Sequence, residues 1–374
     1  MALIERIFFL LTQRWAFCLA AIIYSLGLLY IAFHNGPSQV ESSRVLTPWT
    51  SHLPANVASV SSIAHFFENF RLPVDADNFT GFNGENYLLP YYLPQKPPFN
   101  KPLSSQVLIL DADTRPLDEP GGILNETWES LTTRWESMNW HTYGRLNHYL
   151  WAKIHGYDYK LVTAEDQPDI HGTWCKVPAM RQAIEHYKFV IFLDADIVLP
   201  HLHVPLEWLL NYWNINSETL IAMAKDPTTD INNDDRGQVF LNTGFVIAQQ
   251  SSRTKEMFEA WDSCLNGTRY PECTQWRDKW PHEQAALGTY LRYDFDRPED
   301  VKALPCAEAN GSPEVADTGC SGKLVRHYWN DKHLVPSKVQ EGILQYFMPR
   351  LHDQFLQEYE KVEVKWSDPS EEHG

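Results

Sequence analysis

The sequence predicts an α/β domain with a doubly wound, largely parallel sheet, standing behind a single N-terminal transmembrane helix. Three observations carry this. β-type apolar runs alternate with segments of helical period between residues 107 and 193. The run FVIFL (189–193) is apolar without interruption, as a strand buried on both faces must be. WAFCLAAIIYSLGLLYIAF (15–33) contains no charge and approaches the roughly 20 residues that cross a bilayer as a helix.

The elements follow in chain order. Arg6 and Arg14 precede the apolar run, and no further basic residue comes before Arg44. The positive-inside bias therefore predicts a cytosolic tail (1–14), a signal anchor (15–33) and a lumenal body. A cleaved signal peptide is the competing reading, but the run is long for one and no small-x-small site ends it. Residues 34–104 are rich in Ser and Pro and end in PYYLPQKPPFNKPL, which suits a semi-rigid stem. IAHFFENF within it is apolar enough to pack on the domain that follows. That domain is predicted over 105–360, followed by an acidic tail (361–374).

Within the domain, VLIL (107–110), YKLV (159–162) and FVIFL form three strands. Tyr143, Leu146, Leu150 and Ile154 recur at helical spacing before Gly156, and KVPAMRQAIEHY is a second helix with Pro178 in its first turn. Further β-type runs lie at 220–224, 239–248 and 323–329, and helices at about 251–263 and 282–292.

The chain has 374 residues, 14 Trp and a formal charge of −17. This speaks against nucleic acid or an anionic membrane surface as the main partner and is compatible with a site that gathers divalent cations. Asn78-Phe-Thr80, Asn125-Glu-Thr127 and Asn266-Gly-Thr268 fit the glycosylation pattern; in Asn310-Gly-Ser312 the following Pro313 weakens it. Beyond Cys18 in the anchor, Cys264 with Cys273 and Cys306 with Cys320 are candidate short-loop disulfides, leaving Cys175 over; sequence leaves the connectivity open.

The chemistry centres on Asp194-Ala-Asp196, directly after the buried strand. Ligands of open α/β sheets bind at the carboxyl ends of strands. On extended backbone, residues two apart share a face, so both carboxylates can reach one hard cation such as Mn²⁺ or Mg²⁺. Such an ion neutralises a diphosphate leaving group. A second copy, Asp111-Ala-Asp113, ends the first strand, where a base or ribose would lie; a loop-forming role is the other reading. Asp194-Ala-Asp196-Ile-Val198 also fits the nucleophile motif of haloacid-dehalogenase-type phosphatases, although there the motif normally follows the first strand.

WCKVPAMRQAIEHYKFVIFLDADIVL (174–199), LNTGFV (241–246), HEQAAL (282–287) and LVRHYW (324–329) together resemble glycosyltransferase family 34, the galactosyl/mannosyl/xylosyltransferases of GT-A fold. The likeness spans about residues 105–335. It implies a retaining hexosyltransferase on a type II anchor in the Golgi membrane. The expected partners are a nucleotide sugar (GDP-mannose or UDP-galactose), a glycan acceptor and Mn²⁺ or Mg²⁺. By position, it implies metal ligation by Asp194, Asp196 and His327. Donor contacts would come from Lys176, Asp194, Asn242 and Gly244, and, from its place at the end of the first strand, Asp113. Asp226, Glu283 and Gln284 would face the reacting carbon. Tyr328-Trp329-Asn330 stand where the family has Gly-Cys, and His282 where an acidic residue is common. A lumenal glycan-binding relative with a decayed site is the non-enzyme alternative. Trp128, Trp135, Trp140 and Trp151, with Tyr212 and Trp213, are candidate sugar-stacking or core aromatics.

Overall fold

The computed structural model describes residues 65–90, 96–125, 137–315 and 318–363. The predicted anchor, the first part of the stem, Trp128, Trp135 and residues 364–374 lie outside these. Among the described residues no helix is long and apolar enough to cross a membrane.

The later part of the stem is built into the domain. β1 (Asn78–Thr80) and β2 (Asn86–Leu88) form an antiparallel hairpin. Its inward residues, Phe79 and Tyr87, stack with ring centroids 4.8 Å apart and join the main core together with Phe67 and Leu103.

β3 (Val107–Asp113) then enters the sheet. α1 (Trp140–His155) ends at Gly156, whose φ of 73° gives the left-handed cap that a side chain resists. β4 (Asp158–Thr163) follows, then α2 (Lys176–Ala183), β5 (Phe189–Leu193), the two-residue β6 (Ile197–Val198) and α3 (Leu206–Tyr212). β7 (Ile221–Lys225), β8 (Leu241–Gln249), α4 (Ser252–Asp262) and α5 (Glu283–Ala286) come next; a π-helical turn (Leu287–Leu291) extends α5. β9 (Val301–Leu304), α6 (Cys306–Ala309), β10 (Arg326–His327) and α7 (Val335–Val362) complete the chain.

The six-stranded sheet has the order β4-β3-β5-β8-β7-β9. β5 lies inside it and all five of its residues are buried. The pairs β3/β4, β3/β5 and β7/β9 are parallel, as predicted for a doubly wound sheet. β8 departs from the prediction and runs antiparallel to both β5 and β7. The physical reason is the connection: the chain passes from Lys225 to Leu241 through a loop without a crossover helix, so it can only return in the opposite sense. The predicted strand at 323–329 shrinks to Arg326–His327, which pairs with β6 rather than with the main sheet.

Both candidate disulfides are formed, Cys264–Cys273 and Cys306–Cys320, and Cys175 remains free.

Candidate active site

Two close approaches hold the loop after β5. Asp194 N–H donates to the Gly244 carbonyl at 2.7 Å, fixing the loop to β8. On the other side Gly144 of α1 receives the Ala195 carbonyl; a Cβ there would lie 1.9 Å from that oxygen. The first Asp-Ala-Asp copy supports the same loop. Asp111 accepts from Tyr159 (2.5 Å) and meets His148 Nδ1 (2.9 Å), and the other ring nitrogen of His148 lies 3.0 Å from the Ile197 carbonyl. Asp111 is thus a buried brace between β3 and β6 rather than a ligand group.

β10 brings the late histidine in. His327 pairs with Ile197 in the β6/β10 ladder, and Tyr328 N–H donates to the Asp196 carbonyl at 3.1 Å. The result is a cluster in which Asp194, Asp196 and His327 each offer one ligand atom, all within 4.8 Å of one another. His327 Nε2 lies 3.2 Å from Asp196 Oδ1, and Nδ1 lies 2.9 Å from Trp329 Nε1 and 3.2 Å from Asn310 Oδ1. Nε2 is the nitrogen that faces the carboxylates, and ligation through it would put the ring proton on Nδ1, toward Asn310 Oδ1. Two carboxylates and one imidazole are a fitting donor set for Mn²⁺, whose oxygen preference tolerates a nitrogen ligand. Gly244 makes room for this histidine: a Cβ would stand 2.4 Å from His327 Cε1. The sequence reading gave Gly244 to a sugar contact; the space beside it is taken by His327 and Asn242.

Cations balance the carboxylates. Lys176 Nζ lies 2.9 Å from Asp194 Oδ1 and 3.1 Å from Glu283 Oε1, and Lys332 Nζ lies 3.1 Å from Asp196 Oδ2. Burial pushes the Asp194 carboxyl up, only partly offset by Lys176. Burial also opposes ionisation of Asp196, but His327 and Lys332 outweigh it and leave that carboxyl below the usual range. Asp194, Asp196, Lys176 and Lys332 line a cavity of about 640 Å³ together with Asp113, Arg115 and Trp140.

The remaining site residues fall into two groups. Asp113 lines the cavity, but Arg115 takes both its oxygens (2.9 and 2.6 Å) and the buried Arg145 binds Oδ2 as well. Asp113 therefore orients Arg115 at the cavity. Asp226 collects three amides: Asn242 Nδ2 at 2.9 Å, Gln284 Nε2 at 2.6 Å and Asn310 Nδ2 at 3.2 Å. Burial raises its carboxyl, with the Asn242 and Gln284 hydrogen bonds pulling the other way. Asn310 also meets His327 Nδ1 at 3.2 Å, which ties this group to the metal cluster. Glu283 is also engaged within the protein: its oxygens are held by Lys176, Thr243 and Thr173.

Sequence reading missed Lys332, Arg115, Thr243 and Asn310. Asn310 was legible only as a doubtful glycosylation acceptor; it is buried. A basic residue five positions after a candidate His ligand was the available signal for Lys332. Of the aromatic candidates, Trp140 lines the cavity beneath Arg115 and Lys332, with cation–ring distances of 5.1 and 4.9 Å. Trp151 and Trp213 are core residues, and Tyr212 and Trp213 are tied to Glu308.

Residues 160–345 match the model of a family described as nucleotide-diphospho-sugar transferase. The match begins in β4 and takes in the whole metal-ligand cluster, Lys176, Gln284 and Lys332. This segment belongs to the nucleotide-diphospho-sugar transferase family. The transferase has no match among curated proteins. Among solved structures it is similar to a glycosyltransferase involved in the glycosylation of the major capsid of the virus PBCV-1, at 12% identity and TM-score 0.42, covering 63% of this chain and 98% of that one. It is also similar to mouse xyloside xylosyltransferase 1 (12% identity, TM-score 0.35, 60% of this chain and 98% of that one). A third likeness is to the glycosyltransferase GlyE of Streptococcus pneumoniae (10% identity, TM-score 0.35, 70% of this chain and 66% of that one). Likenesses this distant do not bear on individual site residues.

Proposed function

We propose that this glycosyltransferase moves a hexose, mannose or galactose, from a nucleoside-diphosphate donor to a glycan hydroxyl with retention. The proposed setting is the Golgi lumen, with residues 15–33 as a type II signal anchor, residues 34–104 as a stem whose later part packs into the core, and residues 105–360 as the catalytic region. The observation that carries the reading is the cluster of Asp194, Asp196 and His327, whose two carboxylates line a cavity together with Lys176, Lys332 and Arg115. Two carboxylates with three nearby cations suit a bound metal–diphosphate pair better than a neutral ligand.

Asp194, Asp196 and His327 would hold Mn²⁺ or Mg²⁺, which when bound supplies the positive charge that stabilises a departing diphosphate. Lys332 is half exposed and can leave Asp196 for a phosphate oxygen. Lys176 is fully enclosed and keeps Asp194 oriented. Arg115, fixed by Asp113, supplies a planar cation toward the cavity. Trp140 offers an aromatic face there. Asn242, Gln284 and Asp226 form a pre-ordered polar group on the His327 side, suited to sugar hydroxyls and to positive charge developing at the anomeric carbon.

The test is a panel of nucleotide sugars and oligosaccharide acceptors with and without Mn²⁺. Metal-dependent release of one nucleotide, with product anomeric configuration kept by NMR, supports the reading. Phosphate release without sugar transfer moves the assignment to a hydrolase, and donor binding without turnover to a binding protein.

A further inference from the structure

The C-terminal helix α7 changes character along its length. Val335, Val339, Gly342 and Tyr346 are buried against the domain. From Phe347 to Glu363 every residue is exposed; Phe347 stacks on Phe66 and Arg350 lies over Phe70, and beyond Arg350 no described residue buries the helix. Yet it is not polar. Leu344, Phe347, Met348, Leu351, Phe355, Leu356, Tyr359 and Val362 are between 42% and 59% exposed. At 100° per residue, all but Leu356 fall within an arc of about 120°, the width of a core-facing stripe. The stripe recurs after about eleven residues: Leu344 and Phe355, Met348 and Tyr359, Leu351 and Val362. That spacing keeps a seam on one face of a nearly straight helix. A helix this short, exposed on all sides, is marginal alone in water.

We propose that this half of α7 is the interface of a homodimer, in which the helices of two copies pack antiparallel along the stripe. Antiparallel pairing centred near Asp353 sets Leu344 opposite Val362 and Leu351 opposite Phe355, each pair occurring twice by symmetry. The charges decide the direction. Arg350 and Glu358 lie on the same flank of the stripe, and antiparallel packing brings Arg350 of each copy near Glu358 of the other. Parallel packing puts this flank of the two copies on opposite sides of the seam, so Arg350 and Glu358 would not meet across it. An anionic bilayer is a poor occupant, because Asp353, Glu358, Glu360 and Glu363 outnumber Arg350 and Lys361. Burying these side chains would remove on the order of 800 Å² per copy, the size of one side of a specific interface.

The test uses the intact chain in detergent. Sedimentation corrected for bound detergent should give a dimer mass at micromolar concentration. The double variant Leu351→Glu with Phe355→Glu should be monomeric, with an unchanged melting temperature for the domain because both positions are solvent-exposed in the monomer. Leu344→Cys combined with Val362→Cys should cross-link between copies on mild oxidation, while either substitution alone should not. A monomeric intact chain, a dimer that survives the double variant, or self-cross-linking of a single cysteine would each overturn the proposal. A cross-link formed within one chain would do the same and assign the stripe to a segment of its own chain.

Discussion

His327 shows most directly how single residues build the site. It reaches Asp196 only because position 244 lacks a side chain, so Gly244→Ala should displace the imidazole. The expected outcome is a loss of metal affinity of about 10–100-fold, the range for disturbing a ligand's support, with smaller loss of stability. Calorimetric Mn²⁺ titration and thermal melting check the two parts. Direct removal of a ligand, His327→Ala, should abolish transfer by at least about 100-fold while the fold persists. At this scale the sequence revealed Asp194, Asp196 and His327 through motif order. It could not reveal that Asp113, Asp226 and Glu283 are each already bonded to Arg, amide or Lys partners, because those partners come from distant elements.

Among the elements, the seat of α5 depends on an ion pair inside the protein. Glu283 is the first residue of α5 and joins it to Lys176 at the start of α2 and to Thr243 of β8. Burial opposes ionisation of Glu283, but Lys176 and the hydroxyl hydrogen bonds outweigh it and hold the carboxyl below its ordinary value of 4.5. The sign follows: this contribution is complete above that value and is lost as pH falls through the lowered one. Glu283→Gln should cost about 3 kcal/mol at neutral pH, as breaking a buried pair does. Its deficit relative to the parent should shrink on acidification, read by urea unfolding from neutral pH downward. The strands were legible because apolar period distinguishes them, and α1 because Gly156 marks its end. The antiparallel sense of β8 was not, since direction depends on the connection and not on side chains. α7 also escaped notice, with Pro349 inside it and most of its outer half facing no core.

For the whole molecule, the proposed lumenal placement carries its own prediction. Asn78 and Asn266 are exposed, whereas Asn310 is buried among Asp226 and His327. Enzymatic deglycosylation of the chain from a eukaryotic secretory system should lower its apparent mass, and Asn78→Gln with Asn266→Gln should remove most of that shift. An unchanged mass would count against the secretory placement. The overall α/β class was readable from alternation of elements, while the packing of residues 65–90 onto the core needed the structure, because IAHFFENF alone does not say which surface it covers. The central claim is that Asp194, Asp196 and His327 hold a metal-bound nucleoside diphosphate. Calorimetric titration of GDP and UDP, with and without Mn²⁺, into the parent chain and Asp196→Asn tests it most directly. The expected result is binding of one nucleotide that requires Mn²⁺ and disappears in Asp196→Asn; equal binding without metal, or binding unchanged in the variant, would contradict it.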